Sequence, residues 1–351
     1  MREMLVSRTF RLLVMAFAAV LALGAAACGG DDDDNGGGGG GGGSSAKSIK
    51  AGLVTDIGGL NDRSFNFLAN KGRLDAQKKL GVETRVLTSN KAGDYIPNLT
   101  TLAQQGFNLI IANGFLMAEA TNTAATKLPQ AKFAIIDYSA AALKDKPKNV
   151  EGLLFKEQEA GYLAGYLAGL WAKDNNAKVV STVGGQDIPP VDHYIAGFQA
   201  GAKKAYPGVQ TLNGFSQEFI DQAKCKEIAL DQLAKGSKVV FAVAGGCGLG
   251  ALDAAKEKGA QGIGVDADQS YLGDYILTSA TKHVDLAVFN AIKSVQDGTF
   301  KGGTDVVNTV ANNGVGIGKI GPAGQKYAAQ VRKIQAQIAA GQIKDIPDTI
   351  K

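Results

Sequence analysis

Beyond Ile49 the chain alternates between short runs rich in aliphatic and β-branched residues and longer stretches whose apolar residues recur at helical spacing. The runs at 50–55, 84–87, 108–112, 133–137 and 152–155 predict strands. A second series follows at 178–183, 209–212, 239–244, 262–265 and 275–279. Between them the spacing predicts helices such as 67–80, 159–172, 195–205, 223–234 and 251–258. Strands alternating with helices build βαβ units: parallel sheets, right-handed crossovers and helices on both faces. No linker-like composition separates the two series near residue 155, so the pattern predicts an α/β chain of two tightly hinged lobes. In open α/β sheets ligands sit outside the carboxyl ends of the strands. Two facing lobes would put both sets of ends around one cleft.

The helix expected over 159–172 carries Gly161, Gly165 and Gly169 at steps of four, beside Leu163, Leu167, Leu170 and Trp171. Small residues at that spacing make a smooth stripe against which a neighbouring element packs closely, so this helix reads as buried core.

The first 47 residues follow another pattern. Arg2, Arg8 and Arg11 precede a run from Leu12 to Leu23 that is all apolar or Ala, the layout of a secretory signal over 1–27. The run is short for a spanning helix, which needs about 20 apolar residues. Ala25-Ala26-Ala27 leads into Cys28 and resembles a bacterial lipobox, with Ala25 where Leu is usual. Cys28 is then the lipidated residue; plain secretion with an incidental cysteine is the alternative. Gly29-Gly30, Asp31 to Asp34, Asn35, the glycines 36–43 and Ser44-Ser45 form a stretch that cannot bury apolar area, and 28–47 reads as a tether.

Charge and composition narrow the chemistry. The 351 residues carry 37 Lys+Arg against 33 Asp+Glu, and without the leader and tether 33 basic residues face 28 acidic ones. That excess is mild and evenly spread, which argues against nucleic acid. His193 and His283 stand without partners at metal-ligand spacing, and no phosphate loop or nucleophile elbow is present, so no metal or cofactor is implied. Asp56, Asp137 and Asp266 end predicted strands, where general acid–base work stays open to them. The cluster Gly245-Gly246-Cys247-Gly248-Leu249-Gly250 follows a strand without the dinucleotide spacing, and Asp266 lies 20 residues after Gly246. Backbone can approach a ligand closely at these glycines, and Asp266 can accept from vicinal hydroxyls. Phe65, Phe219 and Phe241 lie towards the carboxyl-end side, where aromatic faces can sandwich a flat ligand. Core packing is the plainer alternative for each. Lys282 either donates to a ligand oxygen or faces solvent.

The segment Asp56-Ile57-Gly58-Gly59-Leu60-Asn61-Asp62-Arg63-Ser64-Phe65-Asn66 resembles the signature of the basic membrane lipoprotein family. These are substrate-binding proteins of ABC importers related to purine nucleoside receptors. Supporting segments follow in the family's order at 159–165, 197–201, 244–246 and 264–269. The resemblance implies a class I periplasmic-binding-protein fold. Its lobes would be 48–155 plus about 280–303 and 156–279 plus about 304–351, joined by hinge strands near 155 and 275.

Carried over by motif, Asp56 and Asp137 would face a purine base, Phe65 and Phe241 would stack on it, and Phe219 would line the pocket. Gly246, Asp266 and Lys282 would address the ribose. The implied protein is a non-enzymatic, lipid-anchored extracytoplasmic monomer on the cell membrane. It would hand a purine nucleoside to a permease driven by an ATPase. A sugar or riboflavin-like ligand, a ligand-sensing module and an extracellular nucleoside-processing enzyme are the alternatives. Cys247 departs from the small or hydroxyl residue expected in its loop. Cys225 starts a helix at the same sheet edge, so the two thiols would lie close: a disulfide in an oxidising compartment, or two small buried thiols.

Overall fold

The computed structural model describes residues 48–350, so the signal segment expected over 1–27, the lipidation expected at Cys28 and the tether expected over 28–47 lie outside the described residues. The first series begins with β1 (Lys50–Thr55), whose last five residues are buried, as a central strand covered on both faces requires. It continues through α1 (Phe65–Leu80), β2 (Glu83–Leu87), α2 (Tyr95–Gln104), β3 (Leu109–Asn113), α3 (Ala118–Lys127), β4 (Lys132–Ile136) and β5 (Val150–Phe155). The second series runs α4 (Glu157–Asp174), β6 (Val179–Gly184), α5 (Pro189–Ala205), β7 (Gln210–Phe215), α6 (Gln222–Ala234) and β8 (Ser237–Val243). It ends with α7 (Gly248–Glu257), β9 (Gln261–Asp266) and β10 (Ile276–Lys282). Then come α8 (Val284–Asp297), β11 (Asp305–Asn308), β12 (Val315–Ile317) and α9 (Ala328–Ala339).

Two six-stranded sheets result, in the orders β2-β1-β3-β4-β5-β11 and β7-β6-β8-β9-β10-β12. All pairings are parallel except β10 with β12. The strand order reverses between β1 and β3 and again between β6 and β8. In such sheets the crevice at a reversal point is where ligands bind.

The chain passes between the sheets after β5, after β10 and after β11. The second passage lies at 282–284, beyond the hinge expected near 275, because β10 runs to Lys282. β11 completes the first sheet at 305–308, beyond the expected limit near 303. It is a four-residue edge strand with Val306 and Val307 half exposed, too short and too weakly patterned to read as a strand. α5 begins at Pro189, ahead of the expected 195, since proline is well placed in a helix's first turn.

The glycine stripe of α4 lies on α5. A Cβ at Gly161, Gly165 or Gly169 would collide with the carbonyl oxygens of Tyr194, Phe198 and Ala202, and α5 answers with Gly197 and Gly201 against the carbonyls of Gln158 and Tyr162. The backbones touch, and this packing fixes where the first residues of both helices stand beside the cleft.

Candidate functional site

A cleft between the carboxyl ends of the two sheets holds about 640 Å³ free of protein atoms, its open mouth included. The loops after β1, β3, β4, β8 and β9 and the start of α5 enclose it, so both reversal points open into one space.

The first lobe contributes a polar cluster. Asp56, the residue after β1, accepts hydrogen bonds from Asn66 Nδ2 at 2.8 Å and from the Gly58 amide at 3.1 Å. Asn113 Nδ2 donates to Asn66 Oδ1 at 2.8 Å, which fixes the Asn66 amide with its NH₂ towards Asp56. Gly114 follows at φ 134°, and a Cβ there would fall 2.9 Å from Asp56 Oδ2, so the backbone approach requires glycine. Burial pushes the Asp56 carboxyl up to about 6, against the pull of its donors Asn66 and Gly58. Asp62 sits under the first turn of α1 and accepts from the amides of Ser64, Asn66 and Phe67 at 3.0, 2.7 and 3.0 Å.

A charged group spans the hinge. Lys282, the last residue of β10, is 2% exposed, which overturns the solvent-facing alternative for it. Its Nζ lies 2.6 Å from Asp137 Oδ1 and 2.8 Å from Glu157 Oε1, and Glu157 Oε2 in turn meets His193 Nδ1 at 3.1 Å. The ammonium also stands over the rings of Phe155 at 4.7 Å and Phe65 at 5.2 Å. Burial opposes the Lys282 charge, yet Asp137, Glu157 and Asp266 together raise its pKa, so the amine stays protonated. Burial likewise opposes the Glu157 charge, but Lys282 and His193 hold that carboxyl below its usual value. At Asp137 burial outweighs Lys282 and the shift is upward.

Asp137 and Asp266 occupy matching places, directly after β4 and as the last residue of β9, each the fourth strand of its sheet. Both have left-handed backbones, at φ 68° and 59°. Aspartate tolerates that region better than most residues. Asp266 accepts from Ser64 Oγ at 2.6 Å and from the Tyr194 hydroxyl at 3.2 Å.

The second lobe supplies an aromatic wall. Phe219 lies over Gly185, where any Cβ would strike its ring. Its carbonyl accepts from the Cys247 amide at 2.9 Å, which ties it to the Gly245-Gly246 turn. Cys225 on α6 and Cys247 at the start of α7 are joined in a disulfide with Cα atoms 5.6 Å apart, both side chains fully buried.

Of the residues singled out in the sequence, Asp56, Phe65, Asp137, Phe219, Gly246, Asp266 and Lys282 line the cleft. Phe241 does not and is corrected here. It is 0% exposed and packs on Tyr194 and Phe198, with ring centroids 6.0 and 5.2 Å away. It sits two residues before the end of β8, so Val243 reaches the cleft on that face and Phe241 lies one pleat deeper. Tyr194, on which Phe241 packs, lines the cleft. Asp62, Asn66, Phe115 and Tyr194 also line the cleft and were not singled out. The first two lie inside the quoted segment 56–66. The other two stand at a helical turn and inside a helix, where an aromatic has no distinguishing signal.

Two parallel α/β lobes closing on a polar and aromatic cleft define a solute-binding protein. The chain matches the Bmp family model, ABC transporter substrate-binding protein PnrA-like, over residues 49–350, and belongs to that family. It is 36% identical over 318 residues to an uncharacterized lipoprotein of Pyrococcus abyssi, covering 87% of this chain and 76% of that one. It is 34% identical over 317 residues to the ABC transporter nucleoside-binding protein BmpA of Lactococcus lactis, covering 84% and 88%. Among solved structures it resembles an ABC transporter solute-binding protein of Aeropyrum pernix, with TM-score 0.77, 26% identity and 85% and 94% of the two chains covered. The protein is thus a binding component of an ABC transporter and not an enzyme; its partners are a small molecule and a permease.

Proposed function

We propose that the protein binds a purine nucleoside between its lobes and delivers it to the permease, held at the outer face of the membrane by lipid on Cys28. The observation that carries this reading is the pairing of aromatic faces with under-satisfied buried carboxylates. Phe65, Phe115 and Phe219 present flat apolar surface to the cleft. Among the described residues two donors reach Asp56, and its carboxyl is raised by burial, so its remaining lone pairs favour a ligand's N–H groups. Asp266 and Lys282 offer an acceptor and a fixed cation for vicinal hydroxyls. A molecule with a flat, N–H-bearing ring at one end and a diol at the other satisfies both sets. The nucleoside-binding relative in Lactococcus lactis supports the same ligand class. The folded chain would act as a monomer, with the two lobes 48–155 plus part of 280–310 and the remainder moving as units.

A thermal-shift comparison tests this on protein unfolded and refolded to strip carried-over ligand. A ligand at 100 times its Kd stabilises by about 2.7 kcal/mol. Guanosine, inosine or adenosine should raise the midpoint, ribose should not, and the free base should do so weakly. Shifts with sugars or flavins alone would remove the nucleoside assignment, and conversion of the nucleoside during incubation would contradict the receptor role.

A further inference from the structure

We propose that Ser64 is the latch between the lobes: its hydroxyl, donated to Asp266 across the cleft, holds the closed state in which ligand is retained. The inference rests on the receptor reading of the cleft but not on which ligand fills it.

Ser64 stands at the N-cap of α1, where a serine ordinarily accepts a hydrogen bond from an amide of the first helical turn. Here its side chain makes no such bond. Asp62 has taken over that task, accepting from the Asn66 and Phe67 amides. The Ser64 hydroxyl is thereby released from the helix it precedes. It is fully buried, and its Oγ lies 2.6 Å from Asp266 Oδ2 and 3.3 Å from the Val265 carbonyl oxygen. A hydroxyl has one proton to give, and the shorter contact to an ionisable oxygen is the stronger bond.

The two partners belong to different sheets: α1 packs in the first lobe, and Asp266 ends β9 in the second. Tyr194 Oη holds the other Asp266 oxygen, and the ring of Tyr194 rests on Phe241, so the acceptor is rigidly backed by the second lobe's core. Opening the cleft must separate Ser64 from Asp266 and leave a buried carboxylate short of one donor. The same carboxylate faces the ligand. Closure therefore presents an oriented Asp266, and a ligand that engages it meets a carboxylate the latch has already positioned.

The test compares wild type, Ser64→Ala and Ser64→Thr by small-angle scattering without ligand and by stopped-flow ligand release. Ser64→Ala should enlarge the radius of gyration and speed dissociation about tenfold, equivalent to about 1.4 kcal/mol, with association little changed. Ser64→Thr, which keeps the donor, should match wild type in both. The unliganded midpoint should hardly move in either variant, because Asp62 still caps α1. An unchanged radius and release rate in Ser64→Ala would overturn the latch. So would a Ser64→Ala protein that fails to fold or melts as early as Asp62→Ala, since the hydroxyl would then serve the helix. Scattering on the free protein reads the latch even where no nucleoside binds, so its outcome is separate from that of the nucleoside reading.

Discussion

Asp56, the carboxylate proposed to meet the ligand, carries a cost of its own. Its folded-state pKa of about 6 exceeds the ordinary carboxylate value because burial disfavours the charge. Between the unfolded and folded values the native state holds a proton that the unfolded chain has lost. Stability from this group is therefore present at acid pH and falls as pH rises towards 6. Ligand affinity runs the other way, because N–H donors need the ionised form. Nucleoside affinity should weaken as pH drops through about 6, by about tenfold per unit below it, as titration at several pH values would show. A flat profile from pH 7 to 5 would take Asp56 out of ligand recognition. Asp56→Asn should lose affinity while raising the unliganded midpoint at neutral pH.

Lys282 behaves oppositely. Replacing it with Met strands Asp137 and Glu157 in a buried site. Removing one partner of a buried pair costs about 3–5 kcal/mol, so a large fall in midpoint is expected by denaturant unfolding. Legibility at this scale follows geometry. The strand-end carboxylates and Phe65 were readable because a strand end is a fixed address. Phe241 was misplaced because one pleat separates core from cleft, a step that pattern alone does not count.

Among the elements, the ten strands expected from alternation and apolar runs are all present: the central ones, buried on both faces, leave an unbroken apolar signature, while the edge strands β2 and β7 are mostly half-buried or exposed. The helices α3 and α8 and the two shortest strands were among those not singled out. α3 is rich in Thr and Ala, α8 leans on Gly72 of α1 through the Asp285 carbonyl, and the edge strands β11 and β12 are four and three residues long. The α4–α5 contact was half legible: the glycine stripe of α4 was read, while its reciprocal in Gly197 and Gly201 was not. Gly165→Leu must push two helix backbones apart, and overpacking a tight core costs about 1–3 kcal/mol or more. A lowered midpoint together with weakened ligand binding is expected, since α5 carries Tyr194. An unchanged midpoint would mean that the helices are less closely packed than described.

Across the whole molecule, three chain passages, the Lys282 cluster and the Ser64–Asp266 bond join the lobes around one cleft. Family membership was legible because several short segments keep their order along the chain, those at 56–66, 244–246 and 264–269 lining the cleft and those at 159–165 and 197–201 forming the α4–α5 contact. The cross-lobe bonds were not, because they join residues far apart in sequence, 202 positions for Ser64–Asp266 and 125 for Lys282–Glu157. The Cys225–Cys247 bridge, 22 residues apart, ties the Phe219 segment to the glycine turn within the second lobe. Closing a loop of that length stabilises by about 3 kcal/mol in the chain-entropy picture. Reduction should lower the midpoint and loosen the aromatic wall, while a thiol assay on unfolded, unreduced protein should find neither cysteine free.

The central claim is tested most directly by calorimetric titration of guanosine into refolded, ligand-free protein. The account predicts saturable binding of one nucleoside per chain, a negative heat-capacity change from burial of the ring, and return of the nucleoside chemically unchanged. Absence of binding by guanosine, inosine and adenosine, with saturable binding of a sugar or flavin in the same cell, would contradict it.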